Sequence, residues 1–178
     1  MSGPSRASGD LPIAVGRLTR SHGVRGELRL TPFFEEAVDA LVGKTVSLIR
    51  ESDNRSLTLT MIGLRPGPKS LLAAFDRIDS PEAAADYVNS LIIARKGDLP
   101  PLPEGRYYYE EIIGLPAYDE AGRFVGRLAD FFEAGEKDVW TFVDDAGVET
   151  MTPCLPETVL NVDLEAERIL LRPMEVIE

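Results

Sequence analysis

The sequence predicts a mainly β fold in two small domains, and three observations predict it. Short apolar stretches rich in Val, Ile, Leu, Thr and Phe recur along the chain, separated by turns bearing Gly, Asp and Pro. Helix signals are confined to two short stretches of the first half. Between the halves, "KGDLPPLPEGR" places three prolines in four residues, which excludes helix and central strand there. The organisation expected is a polar, disordered tail over 1–10, a first domain over 11–98, a linker over 99–106 and a second domain over 107–176.

In the first half, "LPIAVGRL" and "GELRLTPF" read as strands flanking the basic, glycine-punctuated "TRSHGVRG". "TPFFEEAVDALVGK" has helical features. Thr31 is a candidate cap, Pro32 suits the first turn, Phe34, Val38 and Leu41 fall at helical spacing, and Gly43 can end the helix. "TVSLIR" and "SLTLTMIGL" read as strands, the latter with Leu57, Leu59 and Met61 on one face. "RPGPKS" is a turn and "LLAAF" a strand. "SPEAAADYVN" is a short helix, with Ser80 at the N-cap and Pro81 at the first helical position. "SLIIAR" closes the half as a strand.

The second half reads as short strands between the turns "DEAG", "EAGEKD", "DDAG" and "DLEAER", where Asp and Gly supply left-handed backbone and local hydrogen bonds. "VWTFV" is apolar on both faces, as an interior strand would be. Regular short strands with little helix suggest a small barrel. "EGRYYYEEIIGL" stands out at its start. On a strand, Tyr107 and Tyr109 would face one way and Tyr108 the other, so at least one ring would leave the core or sit at its rim.

Composition narrows the function. No apolar run approaches the roughly 18 residues a membrane helix needs, and the start lacks the apolar stretch of a signal peptide, so a cytoplasmic location is expected. One cysteine, Cys154, allows no intrachain disulfide. The net charge of −11 is uneven: residues 1–100 carry +1 and residues 101–178 carry −12. An acidic half repels nucleic acid and attracts a basic protein, or simply keeps the chain soluble.

Catalytic motifs are poor. "VGKT" at 42–45 ends like a phosphate-binding loop, but Val38 stands where that motif needs glycine. His22 is the only histidine, and neither it nor Cys154 has a local motif, so no metal or other cofactor and no catalytic residues are expected. "RLTRSHGVRGELR" is more suggestive. It holds four arginines against one glutamate, with Gly23 and Gly26 allowing tight turns, so Arg20 and Arg25 can reach phosphate. A solvated hairpin loop is the plainer reading of the same residues. Tyrosines at a surface are frequent interface anchors.

Taken together, these stretches resemble the RimM family of ribosome maturation factors, from Leu11 to about Val176. "VGRLTRSHGVRGELRL" resembles the family's opening glycine–histidine–glycine segment. "YYYEEIIGLPAYDEAGRFVG" resembles the start of its second domain, a PRC barrel, with Tyr107 and Tyr108 on the aromatic pair and Gly114 on the glycine. "GEKDVWTF", "TPCLP" and "VLNVD" match later stretches. Glu111 stands where Asp is usual, and Cys154 where an aromatic often follows the proline. The resemblance implies a six-stranded barrel like those of translation factors, followed by the PRC barrel. The whole is then two small β-barrel domains with one or two short helices in the first. It implies a non-enzymatic, monomeric assembly factor that binds the small ribosomal subunit, aids ribosomal RNA processing and matures the subunit head. Its protein partner would be the basic nineteenth small-subunit protein. Tyr107 and Tyr108 would serve binding, and Arg20, His22 and Arg25 would face partner or RNA. The alternative is a general RNA-binding or translation accessory protein acting through the first barrel.

Overall fold

The computed structural model describes residues 8–174. The chain divides into two compact units between Arg106 and Tyr107. Of the expected tail, residues 1–7 lie outside the described residues. Gly9 is tied down, its carbonyl accepting the Gly97 N–H at 2.7 Å.

In the first unit, β1 (Pro12–His22), β2 (Glu27–Pro32), β3 (Thr45–Arg50), β4 (Arg55–Gly67), β5 (Ser70–Phe75) and β6 (Ser90–Arg95) form a closed barrel in the order β1-β2-β5-β4-β3-β6. β6 returns antiparallel to β1 and closes it. Alternation fills the interior: Leu28 and Leu30, Leu48, Met61, Phe75 and Ile92 are buried, while Arg29, Ser47 and Thr60 between such positions are only half-buried. Each fully buried Leu or Ile contributes roughly 1.5–3 kcal/mol. Closure leaves this unit without a free sheet edge.

The first helix differs from the sequence expectation. Thr31 and Pro32 belong to β2, and α1 covers only Glu35–Asp39, with Phe34 at the N-cap and no side-chain cap. Thr31 and Pro32 pair with Arg17 and Gly16 of β1, and the Phe33 N–H continues to the Val15 carbonyl at 2.9 Å. This ladder outcompetes the local helix signal. Gly16 permits the close approach, because a Cβ there would lie 2.9 Å from the Thr31 carbonyl oxygen. Val38 and Leu41 are buried as the helical spacing implies. The second helix, α2 (Pro81–Ala85), is as read: Ser80 Oγ accepts the Ala83 N–H at 3.2 Å, with Pro81 in the first turn. A 3-10 turn, Lys96–Asp98, follows β6.

The second unit opens with α3 (Tyr109–Ile112), followed by β7 (Pro116–Asp119), β8 (Phe124–Ala134), β9 (Lys137–Val143), β10 (Glu149–Pro153), β11 (Val159–Asp163) and β12 (Arg168–Leu171). They form a six-stranded sheet in the order β10-β9-β8-β7-β12-β11. All pairs are antiparallel except β7 with β12. β9 is the interior strand its two apolar faces suggested, paired with β8 and β10. The core is built on Leu115, Leu128, Trp140, Phe142, Ile169 and Leu171.

Candidate protein- and RNA-binding surfaces

The tyrosine run is not a strand. Tyr107 and Tyr108 lead into α3, and Glu111 explains why the helix starts there. Its carboxylate, three residues into the turn, accepts the Tyr108 backbone N–H at 3.1 Å. Gly114 closes the segment with φ +80 and donates its N–H to the Leu128 carbonyl at 2.7 Å.

The three rings therefore take three environments. Tyr108 is buried, at 3% exposure. Tyr107 packs against the core, edge-on to Trp140 with centroids 6.4 Å apart. Tyr109 is 38% exposed and lies against Phe131 at 5.4 Å. Burial raises the Tyr109 hydroxyl pKa, and the charges of Asp130 and Glu110 add to that rise. Phe132, next to Phe131, is exposed.

The turn end of the β8–β9 hairpin is acidic. Phe131 pairs with Trp140, and two residues on, Glu133 pairs with Asp138 on the same face. Both carboxylates are exposed, and neither forms an ion pair among the described residues. Like charges directly opposite on a sheet oppose pairing. Arg123 and Arg172 are engaged elsewhere, with Asp119 at 2.7 Å and Glu120 at 2.6 Å. Those contacts hold both carboxyls below their usual range. For Asp119 the Arg123 backbone N–H is the larger cause, and for Glu120 the Arg172 guanidinium. An aromatic pair beside an uncompensated acidic pair suits a Lys- or Arg-bearing partner through Coulomb and cation–π attraction. Tyr109 and Phe131 were not singled out in the sequence. The signal present was the third tyrosine, whose exposure depends on α3 replacing a strand.

On the first unit, β1 and β2 form a hairpin whose last pair is His22 with Glu27. Gly23 and Gly26 hold φ +66 and +81 in the turn. Gly26 is doubly required, since a Cβ would lie 2.7 Å from the Ile78 carbonyl oxygen and 2.8 Å from the Ser80 nitrogen. His22 is half-buried, Arg20 and Arg25 are exposed, and neither arginine forms an ion pair among the described residues. His22, Gly23, Val24 and Arg25 line a groove with Glu27 and Arg65. Arg65 donates to both Glu27 carboxylate oxygens, at 2.8 and 2.7 Å. These bonds hold Glu27 below the usual carboxylate range.

His22 is in the first unit and Cys154 in the second, and burial raises the Cys154 thiol pKa. A raised thiol is a poor nucleophile. Among the described residues no group of three or more His, Cys, Asp or Glu could hold a metal ion, and no helix is long and apolar enough to cross a membrane.

Comparison with known proteins agrees across nearly the whole chain. Residues 13–99 match the family described as the RimM N-terminal domain, and residues 109–177 the RimM PRC barrel domain. A ribosome maturation factor RimM of Syntrophobacter fumaroxidans is 32% identical over 158 residues, covering 89% of each chain. The one of Geobacillus kaustophilus is 32% identical over 164 residues, covering 90% of this chain and 93% of its own. That of Thermotoga neapolitana is 31% identical over 165 residues, covering 92% of each.

Proposed function

This chain belongs to the RimM family of ribosome maturation factors, and from that premise we propose that it is a non-enzymatic, cytoplasmic ribosome assembly factor. It acts as a monomer on the small ribosomal subunit, aiding ribosomal RNA processing and maturation of the subunit head. Residues 11–98 and 107–176 are its two working domains, joined by 99–106. The second domain binds a basic head protein, the nineteenth of the small subunit, and the β1–β2 hairpin approaches RNA through Arg20, His22 and Arg25.

The observation that carries this reading is the acidic–aromatic edge of the second unit. Glu133 faces Asp138 without a countercharge, beside the Tyr109–Phe131 pair. Residues 107–178 carry a net charge of −12, so the edge sits in a field that favours a basic protein over RNA. The tyrosine run divides the work. Tyr109 touches the partner, Tyr107 borders the contact, and Tyr108 anchors the helix that presents Tyr109.

The test is charge reversal on the full chain. Glu133→Lys with Asp138→Lys is expected to keep the thermal melting of the native protein and to release small subunits in sedimentation. It should also slow association with the purified head protein, the difference shrinking as salt rises. Unchanged association by this variant would remove the acidic edge from the binding surface.

A further inference from the structure

We propose that Arg20 and Arg29 clamp a phosphate of the RNA backbone, with Arg65 flanking it, on the outer face of β1, β2, β5 and β4. The proposal deepens the reading of the protein as a ribosome assembly factor and rests on it for the identity of the polyanion.

The register places the arginines. Leu18 pairs with Leu30, and the next pair on β1 and β2 is Arg20 with Arg29, because Thr19 is an extra residue at a bulge. Without that bulge, neutral Thr19 would face Arg29. The bulge therefore turns a Thr–Arg pair into an Arg–Arg pair, and bulges commonly re-aim a side chain in this way. The row continues across the barrel, since Arg29 pairs with Leu72 of β5 and Leu72 with Arg65 of β4. Arg20, Arg29 and Arg65 thus share one face, with buried Leu72 between the last two.

Two cations directly opposite on a sheet are unfavourable unless something neutralises them. Among the described residues neither Arg20 nor Arg29 forms an ion pair. Glu27, two residues from Arg29 on β2, is engaged with Arg65. Arg29 Nε is buried and has no hydrogen-bond partner among the described residues, a cost that native proteins rarely leave standing. An anion seated between the two guanidinium groups supplies the missing charge and accepts from their terminal N–H groups, and a phosphate fits the planar fork. Strands lie about 4.8 Å apart, so Arg29 and Arg65 are about 10 Å apart across the row. Arginines spread over that length, with Arg25 exposed at the hairpin tip, suit a linear polyanion better than a single carboxylate. Arg29 was passed over in the sequence because its role depends on the bulge.

The experiment uses the full chain, with naked small-subunit ribosomal RNA and isolated small subunits as separate probes over a KCl series. The variants are Arg29→Met, Arg29→Lys, Arg20→Gln and, as control, Arg55→Gln, whose arginine lies at the start of β4 beside Asp53. Arg29→Met is expected to melt at or above the wild-type temperature, because it removes a buried unpaired donor and a like-charge contact. It should bind RNA about tenfold more weakly at physiological salt. Its slope of log K against log salt should fall by about 0.7–0.9, one phosphate's worth. Combining it with Arg20→Gln should lower the slope little further, since one phosphate is shared. Arg29→Lys keeps the charge and loses the fork, so affinity falls while the slope holds. It decides the matter alone if Arg29→Met does not fold. Wild-type affinity in the Arg29 variants, no RNA binding by the wild type, or an equal loss in the control overturns the clamp. So does loss of subunit binding with RNA binding intact, which would assign the face to a protein carboxylate. Arg29-dependent RNA binding by a protein that ignores small subunits upholds the clamp and overturns the assembly-factor reading instead.

Discussion

Replacing Tyr107 and Tyr108 together with Ala tests whether these rings are structural supports or the contact surface itself. Tyr108 is 3% exposed, and Tyr107 packs on the core with its ring edge-on to Trp140. Truncating a buried aromatic costs about 3 kcal/mol or more. Losing the Tyr107–Trp140 contact adds about 0.5–1.5 kcal/mol. A domain of this size loses roughly 4–8 °C of melting temperature per kcal/mol, so 3 kcal/mol lowers the transition by roughly 12–24 °C. Calorimetry of the full chain reads this directly. Tyr109→Ala is the contrast, because its ring is 38% exposed and its main partner is Phe131. It should cost about 1 kcal/mol in stability and about 2 kcal/mol, roughly thirtyfold, in affinity for the small subunit. A double variant melting within roughly 4 °C of wild type, less than 1 kcal/mol produces, would refute the assignment of Tyr107 and Tyr108 as supports.

Two further outcomes follow from local geometry. Gly26→Ala should destabilise the first unit by about 2 kcal/mol or more in urea unfolding, because the new Cβ meets backbone at 2.7 Å. Gly23→Ala, with open space around its Cβ, should cost only about 1 kcal/mol. The Arg50 guanidinium, donating to Asp53 at 2.9 Å, lowers the Asp53 pKa to about 2. Its unfolded value is about 3.9, so this contribution is complete above about pH 4 and fades as pH falls towards about 2. Unfolding midpoints across that range should fall less steeply in Asp53→Asn than in the wild type.

Much of the scaffold was legible because period-2 alternation is a local signal. Leu59 and Met61 face inward while Thr58 does not, as their spacing implied. Ser80 and Pro81 marked a helix start that needs no tertiary help. Thr31 and Pro32 carried the same kind of signal and were overridden, because pairing with Arg17 and Gly16 satisfies more backbone groups than one helical turn could. The candidate site was less legible. The arginine loop and the tyrosine run were visible as composition, but their roles depend on register. Arg20 meets Arg29 only through the bulge at Thr19, and Glu133 meets Asp138 only because a tight turn joins β8 to β9. Tyr109 turns outward only because Glu111 caps a helix at Tyr108.

The parallel pairing of β7 with β12 has a consequence for synthesis. Ala117 finds its partner in Ile169, and β11 joins the sheet only through β12. On the ribosome, β7, β8 and β9 emerge first and can form hairpins at once, but one flank of β7 stays bare until Leu171 has left the exit tunnel. Long-range parallel contacts of this kind are slow to form. The first unit also closes on a long-range pairing, Pro12 with Arg95, but its last strand has emerged before β7 is made. The nascent chain therefore gains its arginine-bearing face well before its acidic one, and a stop codon between Asp163 and Arg168 would release a protein with a finished barrel and an unfinished sheet.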